Sequence, residues 1–193
     1  MIHNKSELRE YLSYEMKRYG IKGNINYLMK LFTGSERAVI WHFQKRLRIT
    51  EYHINCGHKI RGFFSKVKLN KLSNKYCLHI NINNCEKGLK IMHLGPILMN
   101  GHVRCGENLS IHINTALAAH GVTDGIPVIG NNVVIGVGAN IIGGIKIADG
   151  IAIGANSLVN KSFLEENIAV AGVPAKKISN NGKSKWNKNS LRS

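Results

Sequence analysis

Histidine is the side chain whose ordinary pKa lets it take a proton from a hydroxyl near neutral pH, and this chain has nine. Their settings differ. His93 stands in Lys90-Ile91-Met92-His93-Leu94-Gly95-Pro96-Ile97, beside a glycine and a proline. It also sits where a period of six is broken. A residue at such a break is turned out of a coil and can face a cleft, which makes His93 a candidate general base. The plainer alternative is a histidine that satisfies a buried carbonyl. His112 follows Ile111 where the repeat wants a small residue, and is a second candidate. His120, in Ala118-Ala119-His120-Gly121, lies in the least regular part of the repeat region and can belong to a loop. His120 and Asn100 are the candidates for contact with an acceptor. His42, His53, His58 and His79 carry no such argument.

The elements that must position these residues follow from the period. Every sixth residue from Ile129 to Val159 is aliphatic: Ile129, Ile135, Ile141, Ile147, Ile153 and Val159. A helix buries a residue every 3.6 positions and a strand every 2. A period of six fits a chain that coils as a flat-sided prism, the signature of a parallel β-helix. Four residues after each rung stand Val133, Ala139, Ile145, Ile151 and Ser157, mostly small as a crowded corner needs. Just after the rungs come Gly130, Gly136, Ala148 and Gly154, where glycine is expected to supply a positive φ at a tight turn. Read backwards, the phase runs through Thr123, Leu117, Ile111, Cys105 and Met99. It then slips, because Ile91 lies eight residues before Met99. The excess contains His93.

Three further zones flank the coil. Residues 1–76 read as helical: Asn4 and Glu7 form a capping box, Leu8, Leu12, Met16 and Tyr19 follow at helical spacing, and Gly20 ends the run. A second apolar cluster runs from Ile25 to Phe32, and Ser35 caps a third helix carrying Val39, Ile40, Phe43 and Leu47. Residues 77–160 hold the repeats, about four coils of three hexapeptides each. Residues 161–178 close the coil, and residues 179–193 read as a disordered basic tail.

The formal charge of +16 implies a polyanionic partner: phosphate, acidic polysaccharide, anionic lipid or nucleic acid. Residues 36–76 hold ten basic residues with Trp41, Phe43, Phe63 and Phe64 interleaved. This is either a solvated helix face over core aromatics or a surface for an acidic polymer or a membrane. No nucleic-acid motif accompanies it, so nucleic acid is disfavoured. No signal peptide and no spanning helix are read, so a cytoplasmic protein with reduced cysteines is expected, with peripheral association at the inner membrane face as an option. Cys85 and Cys105 fall on the inward ladder as small hydrophobes. Cys56-Gly57-His58 and Cys77-Leu78-His79 lack the usual spacing of a zinc pair, and no metal is expected.

The repeats resemble the left-handed β-helix acyltransferases. The stretch from about Glu86 to Lys177 is similar to the serine acetyltransferase group, including its relatives that acetylate surface polysaccharides, and the N-terminal helices resemble the shorter cap of that capsule and O-antigen branch most. The resemblance rests on Gly88-Leu89-Lys90-Ile91-Met92-His93, the run from Ile129 to Val159, and the ending Ala171-Gly172-Val173-Pro174-Ala175-Lys176. It implies a mainly β fold, a left-handed parallel β-helix of hexapeptide repeats with an N-terminal α-helical cap. It also implies acetyl-CoA as donor, a homotrimer with active sites between subunits, and His93 as catalytic base. By the same resemblance Ala118, Ala119, Val137, Ala155 and Lys176 line the CoA groove, with Lys161 or Lys177 helping Lys176 at the CoA phosphates.

Two departures bear on the acceptor. The family's aspartate before the catalytic histidine is Met92 here. The Arg-His pair that holds the serine carboxylate is replaced by Gly125-Ile126-Pro127-Val128, which carries no charge. An amino-acid zwitterion buried without partners is costly. The expected acceptor is therefore a sugar hydroxyl of a capsular or lipopolysaccharide glycan, or its precursor. The alternative is serine, as in the serine O-acetyltransferases of cysteine synthesis. A metal-dependent β-helix enzyme of the carbonic anhydrase type would need three converging histidines, and His93, His112 and His120 are not so spaced. A basic polyanion-binding scaffold without catalysis is the non-enzymatic alternative. The partner that orients His93 is sought among Asn81, Asn83, Glu86 or a backbone carbonyl, since Leu78 stands at the nearest aligned position.

Overall fold

In the computed structural model, residues 1–121 and 125–185 are described. Four helices open the chain: α1 (Lys5–Arg18), α2 (Gly23–Phe32), α3 (Glu36–Asn55) and α4 (Lys59–Tyr76). Asn4 caps α1 by accepting the Glu7 amide at 2.9 Å, and the Glu7 carboxylate takes the His3 amide at 2.7 Å. Ser35 precedes α3, but its side chain makes no capping hydrogen bond. Trp41 and Phe43 are buried on α3, whereas Phe63 and Phe64 stand exposed on α4. No helix among the described residues is long and apolar enough to cross a membrane.

The chain then winds as a left-handed parallel β-helix. The first coil holds β1 (Leu78–His79) and β2 (Lys90–Ile91), the second β3 (Ile97–Met99), β4 (Arg104–Cys105) and β5 (Ser110–Ile111). The third holds β6 (Thr115–Ala118), β7 (Val128–Ile129) and β8 (Val134–Ile135), the fourth β9 (Asn140–Ile142), β10 (Lys146–Ile147) and β11 (Ala152–Ile153). A fifth turn adds β12 (Leu158–Val159) and β13 (Ala169–Gly172), and β14 (Ala175–Ser179) folds back antiparallel on β13.

Parallel pairing stacks the rungs in three columns. Ile91, Ile111, Ile135, Ile153 and Val170 are in register on one face. Met99, Leu117, Ile141 and Val159 stack on the second. Cys85, Cys105, Ile129, Ile147 and Phe163 stack on the third. All are buried. Burying an aliphatic side chain fully stabilises by about 1.5–3 kcal/mol, so a repeated rung drives the fold coil by coil.

The small residue just after each rung has a different cause from the one expected. Positive φ falls three residues after the rung, at Asn108, Asn114, Asn132, Gly138, Gly150 and Asn156. Gly130 and Gly136 are not among the positive-φ residues. A Cβ on Gly136 would stand 2.7 Å from the Ala155 nitrogen of the next coil, and one on Gly130 2.9 Å from the Ala148 carbonyl carbon. Glycine is there because coil meets coil, not because the backbone turns left-handed.

The first coil has no coil below it, so its outward amides and carbonyls need other partners. The cap supplies them. Arg48, 1 % exposed, donates to the Cys85 and Glu86 carbonyls at 2.8 Å each. It is neutralised by Glu15 and Glu51, both at 2.8 Å. Glu15 in turn accepts the Gly88 and Leu89 amides. Gln44 donates to the Leu89 carbonyl, and the Ile91 amide donates to the Tyr19 hydroxyl at 2.9 Å. These contacts fix the start of α3 over the β2–β3 corner.

Beyond β14, Gly182 and Lys183 are buried while Asn180, Asn181, Ser184 and Lys185 are exposed. The Gly182 amide donates to the Asn167 carbonyl and the Lys183 amide to the Gly150 carbonyl. Lys183 is 5 % exposed because its ammonium reaches the Asn108 and Val133 carbonyls. Thr123 and residues 186–193 lie outside the described residues.

Candidate active site

Ile91 pairs with Ile111 and Ile97 with Thr115, so residues 92–96 occupy a corner that residues 112–114 fill one coil higher. The two extra residues push His93 out of the wall, and its side chain is 57 % exposed. Glu36, the first residue of α3, reaches it from the cap. One carboxylate oxygen lies 3.5 Å from His93 Nδ1, and the other accepts the Leu94 amide at 2.9 Å. A carboxylate facing Nδ1 favours the tautomer with its proton there and leaves Nε2 as the basic nitrogen. The carboxylate that faces His93 thus comes from outside the coil. Asn81, Asn83 and Glu86 do other work: Asn81 pairs with Asn84, Asn83 with Asn55, and Glu86 with the N-terminal amine and Tyr11.

His112 stands half-buried beside His93, ring centres 6.0 Å apart. Burial first, and then the charge of His93, push its pKa below the ordinary value. A lowered pKa at His112 disfavours two imidazolium charges in one corner. A cleft of about 480 Å³ opens beside His93, lined by Arg18, Tyr19, Glu36, Arg37 and Lys90 among others.

The other predicted site residues divide between two edges of the prism. Val137 and Ala155 follow β8 and β11 as His93 follows β2, so they rise above it on one edge; the Asn156 amide bonds the Val137 carbonyl between them. Lys176 pairs with Ala171 at the top of this edge. Asn100, Ala118, Ala119, His120 and Lys161 lie at the next edge, beyond β3, β6, β9 and β12. The Asn100 amide bonds Leu117 and the Gly143 amide bonds Ala118 along it. The Lys161 ammonium sits 5.5 Å over the Phe163 ring. Lys177 pairs with Glu165 at 2.5 Å. The structure brings His93 and His112 together and leaves His120 apart. Among the described residues no three His, Cys, Asp or Glu side chains form a group that could hold a metal ion.

A left-handed hexapeptide coil, with a histidine turned out at an edge beside an acid, defines the class of β-helix acyltransferases. Comparison with known proteins narrows the class. The chain is 32% identical over 126 residues to a serine acetyltransferase of Helicobacter pylori strain J99, covering 63% of this chain and 72% of that one. It is 29% identical over 160 residues to a serine acetyltransferase of Buchnera aphidicola from Acyrthosiphon pisum, covering 79% and 57%. The crystal structure of the Brucella abortus serine acetyltransferase superposes with a TM-score of 0.73 at 23% identity, over 93% of this chain and 72% of that one. Its complex with coenzyme A superposes with a TM-score of 0.69 at 25% identity, over 92% and 68%. No family model matches. The chain belongs to the serine acetyltransferase family. It spans 57% and 41% of the length of two Buchnera relatives.

These relatives overturn the glycan acceptor expected from the sequence, together with the capsule and lipopolysaccharide assignment. The relatives that match coil and cap are serine acetyltransferases. Residues 125–128 carry no charge, but Arg18, Arg37 and Lys90 line the cleft beside His93, from the cap and from the first coil.

Proposed function

We propose that the chain is a serine O-acetyltransferase that uses acetyl-CoA. The observation that carries this is His93, turned into a cationic cleft with Nδ1 facing Glu36 and Nε2 left free to act as base. Serine binds with its hydroxyl at Nε2. His93 takes the hydroxyl proton as the oxygen attacks the thioester carbonyl. A C–O bond forms, the C–S bond breaks, and the coenzyme A thiolate leaves with the proton returned by His93. Glu36 stabilises the transient imidazolium. A backbone amide at the edge steadies the oxyanion. The solved relative in complex with coenzyme A, and another described as a complex with cysteine, support this reading of donor and acceptor.

The predicted coenzyme residues sit on two separate edges of one prism. A homotrimer sets the edge with Val137, Ala155 and Lys176 of one subunit against the edge with Ala118 and Ala119 of the next. Small residues on both walls let backbone groups approach the pantetheine arm. The charge on Lys176 meets a CoA phosphate.

The test is thiol release from acetyl-CoA with L-serine, for the native chain and His93→Ala. The variant keeps its fold and assembly and loses about 10²–10⁴-fold in kcat. Near-normal turnover in the variant would remove His93 from the mechanism.

A further inference from the structure

Serine carries a carboxylate as well as a hydroxyl. A carboxylate taken out of water without a partner is costly. Residues 125–128, just before Ile129, supply no charge for it. The cleft beside His93 does: it is lined by Lys17 and Arg18 from α1, Arg37 from α3 and Lys90 from β2. Among the described residues the only carboxylate lining it is Glu36, whose two oxygens already face His93 and the Leu94 amide. The cleft is therefore short of negative charge. Arg18 is tied by Nη2 to the Ser110 hydroxyl at 3.3 Å, while its Nη1 is buried and has no hydrogen-bond partner among the described residues.

We infer that Arg37 and Lys90, with the positive charge of Arg18 behind them, hold the carboxylate of the acceptor. The cap and the first coil thus supply together what the family's Arg-His pair supplies elsewhere. This inference rests on the serine reading proposed above. The setting of Lys90 agrees with it. Burial first, then Arg18 and Arg37, lower its pKa, so a bound anion would relieve three crowded cations. Arg37 is adjacent in the chain to Glu36, so one turn of α3 presents both the group that orients the base and the group that holds the acceptor.

Arg37→Met, Lys90→Met and the double variant test it, assayed with L-serine and with L-serinamide, whose carboxylate is replaced by a neutral amide. A hydrogen bond to a charged group contributes enough that each single variant should raise KM for serine by about 10–100-fold. KM for acetyl-CoA and the melting temperature should stay unchanged. The native preference for serine over serinamide should shrink by the same factor, and Arg37→Lys should restore part of it. If the native chain acetylates serine and the double variant keeps its KM, this inference falls and the serine reading stands. If the native chain transfers no acetyl group to serine, both fall.

Discussion

In the mechanism proposed above His93 and Glu36 form the working pair, and the two differ in how far the sequence shows them. His93 announced itself by a slip of two residues in a period of six, because an insertion at one corner must carry its side chain out of a packed wall. Glu36 carries no local signal. It opens a helix far away in sequence and meets the imidazole only because Arg48, Gln44 and Tyr19 clamp the cap onto the first coil. Glu36→Gln keeps an oxygen to accept the Leu94 amide, so the corner keeps its shape, but it removes the charge facing Nδ1. Loss of such an orienting partner should lower kcat by about 10–100-fold. KM for acetyl-CoA should stay unmoved in steady-state kinetics. An unchanged kcat would mean that Glu36 serves only the turn. The cations of the cleft are no more legible in the coil's period, because Arg18 and Arg37 belong to helices.

The coil itself is legible because its cause is local and repeated. One inward aliphatic every six residues, on three faces, buries a column that no helix or flat sheet could. Even so, the role of the small residues needed neighbouring coils. Gly136 faces the Ala155 nitrogen and the Ile153 carbonyl of the coil above, atoms that cannot move aside without breaking the parallel ladder. Gly136→Ala should therefore destabilise by about 1–3 kcal/mol, the usual cost of overfilling a packed site. Gly101→Ala, whose added methyl meets only the Asn81 amide at 3.7 Å, should be near neutral. Urea midpoints of the two variants distinguish packing between coils from backbone freedom. Equal losses would contradict this account. The helices were legible at their ends, through Asn4 with Glu7 and through Gly20, whose φ is +65°.

The terminal segment joins the fold through Lys183, whose burial, with Arg18 and Lys90 nearby, brings its pKa down to about 7. In the unfolded chain the amine holds its proton to about pH 10. Between about pH 7 and 10 the unfolded state thus binds more protons, and stability rises with pH across that window. Below it both states are protonated and the contribution no longer changes. The urea midpoint of the native chain should rise from pH 7 to pH 9 relative to that of Lys183→Met, which has no such proton. Parallel profiles would show that the segment docks without regard to this amine. By itself the sequence determined the coil, its inward columns, the helical cap and the histidine at the broken corner, because each is written in spacing between near neighbours. The tertiary structure alone decided which acid faces that histidine, which cations share its cleft, and that Gly182 and Lys183 pack against the coil. Those contacts join segments tens of residues apart, and no periodicity records where such segments meet.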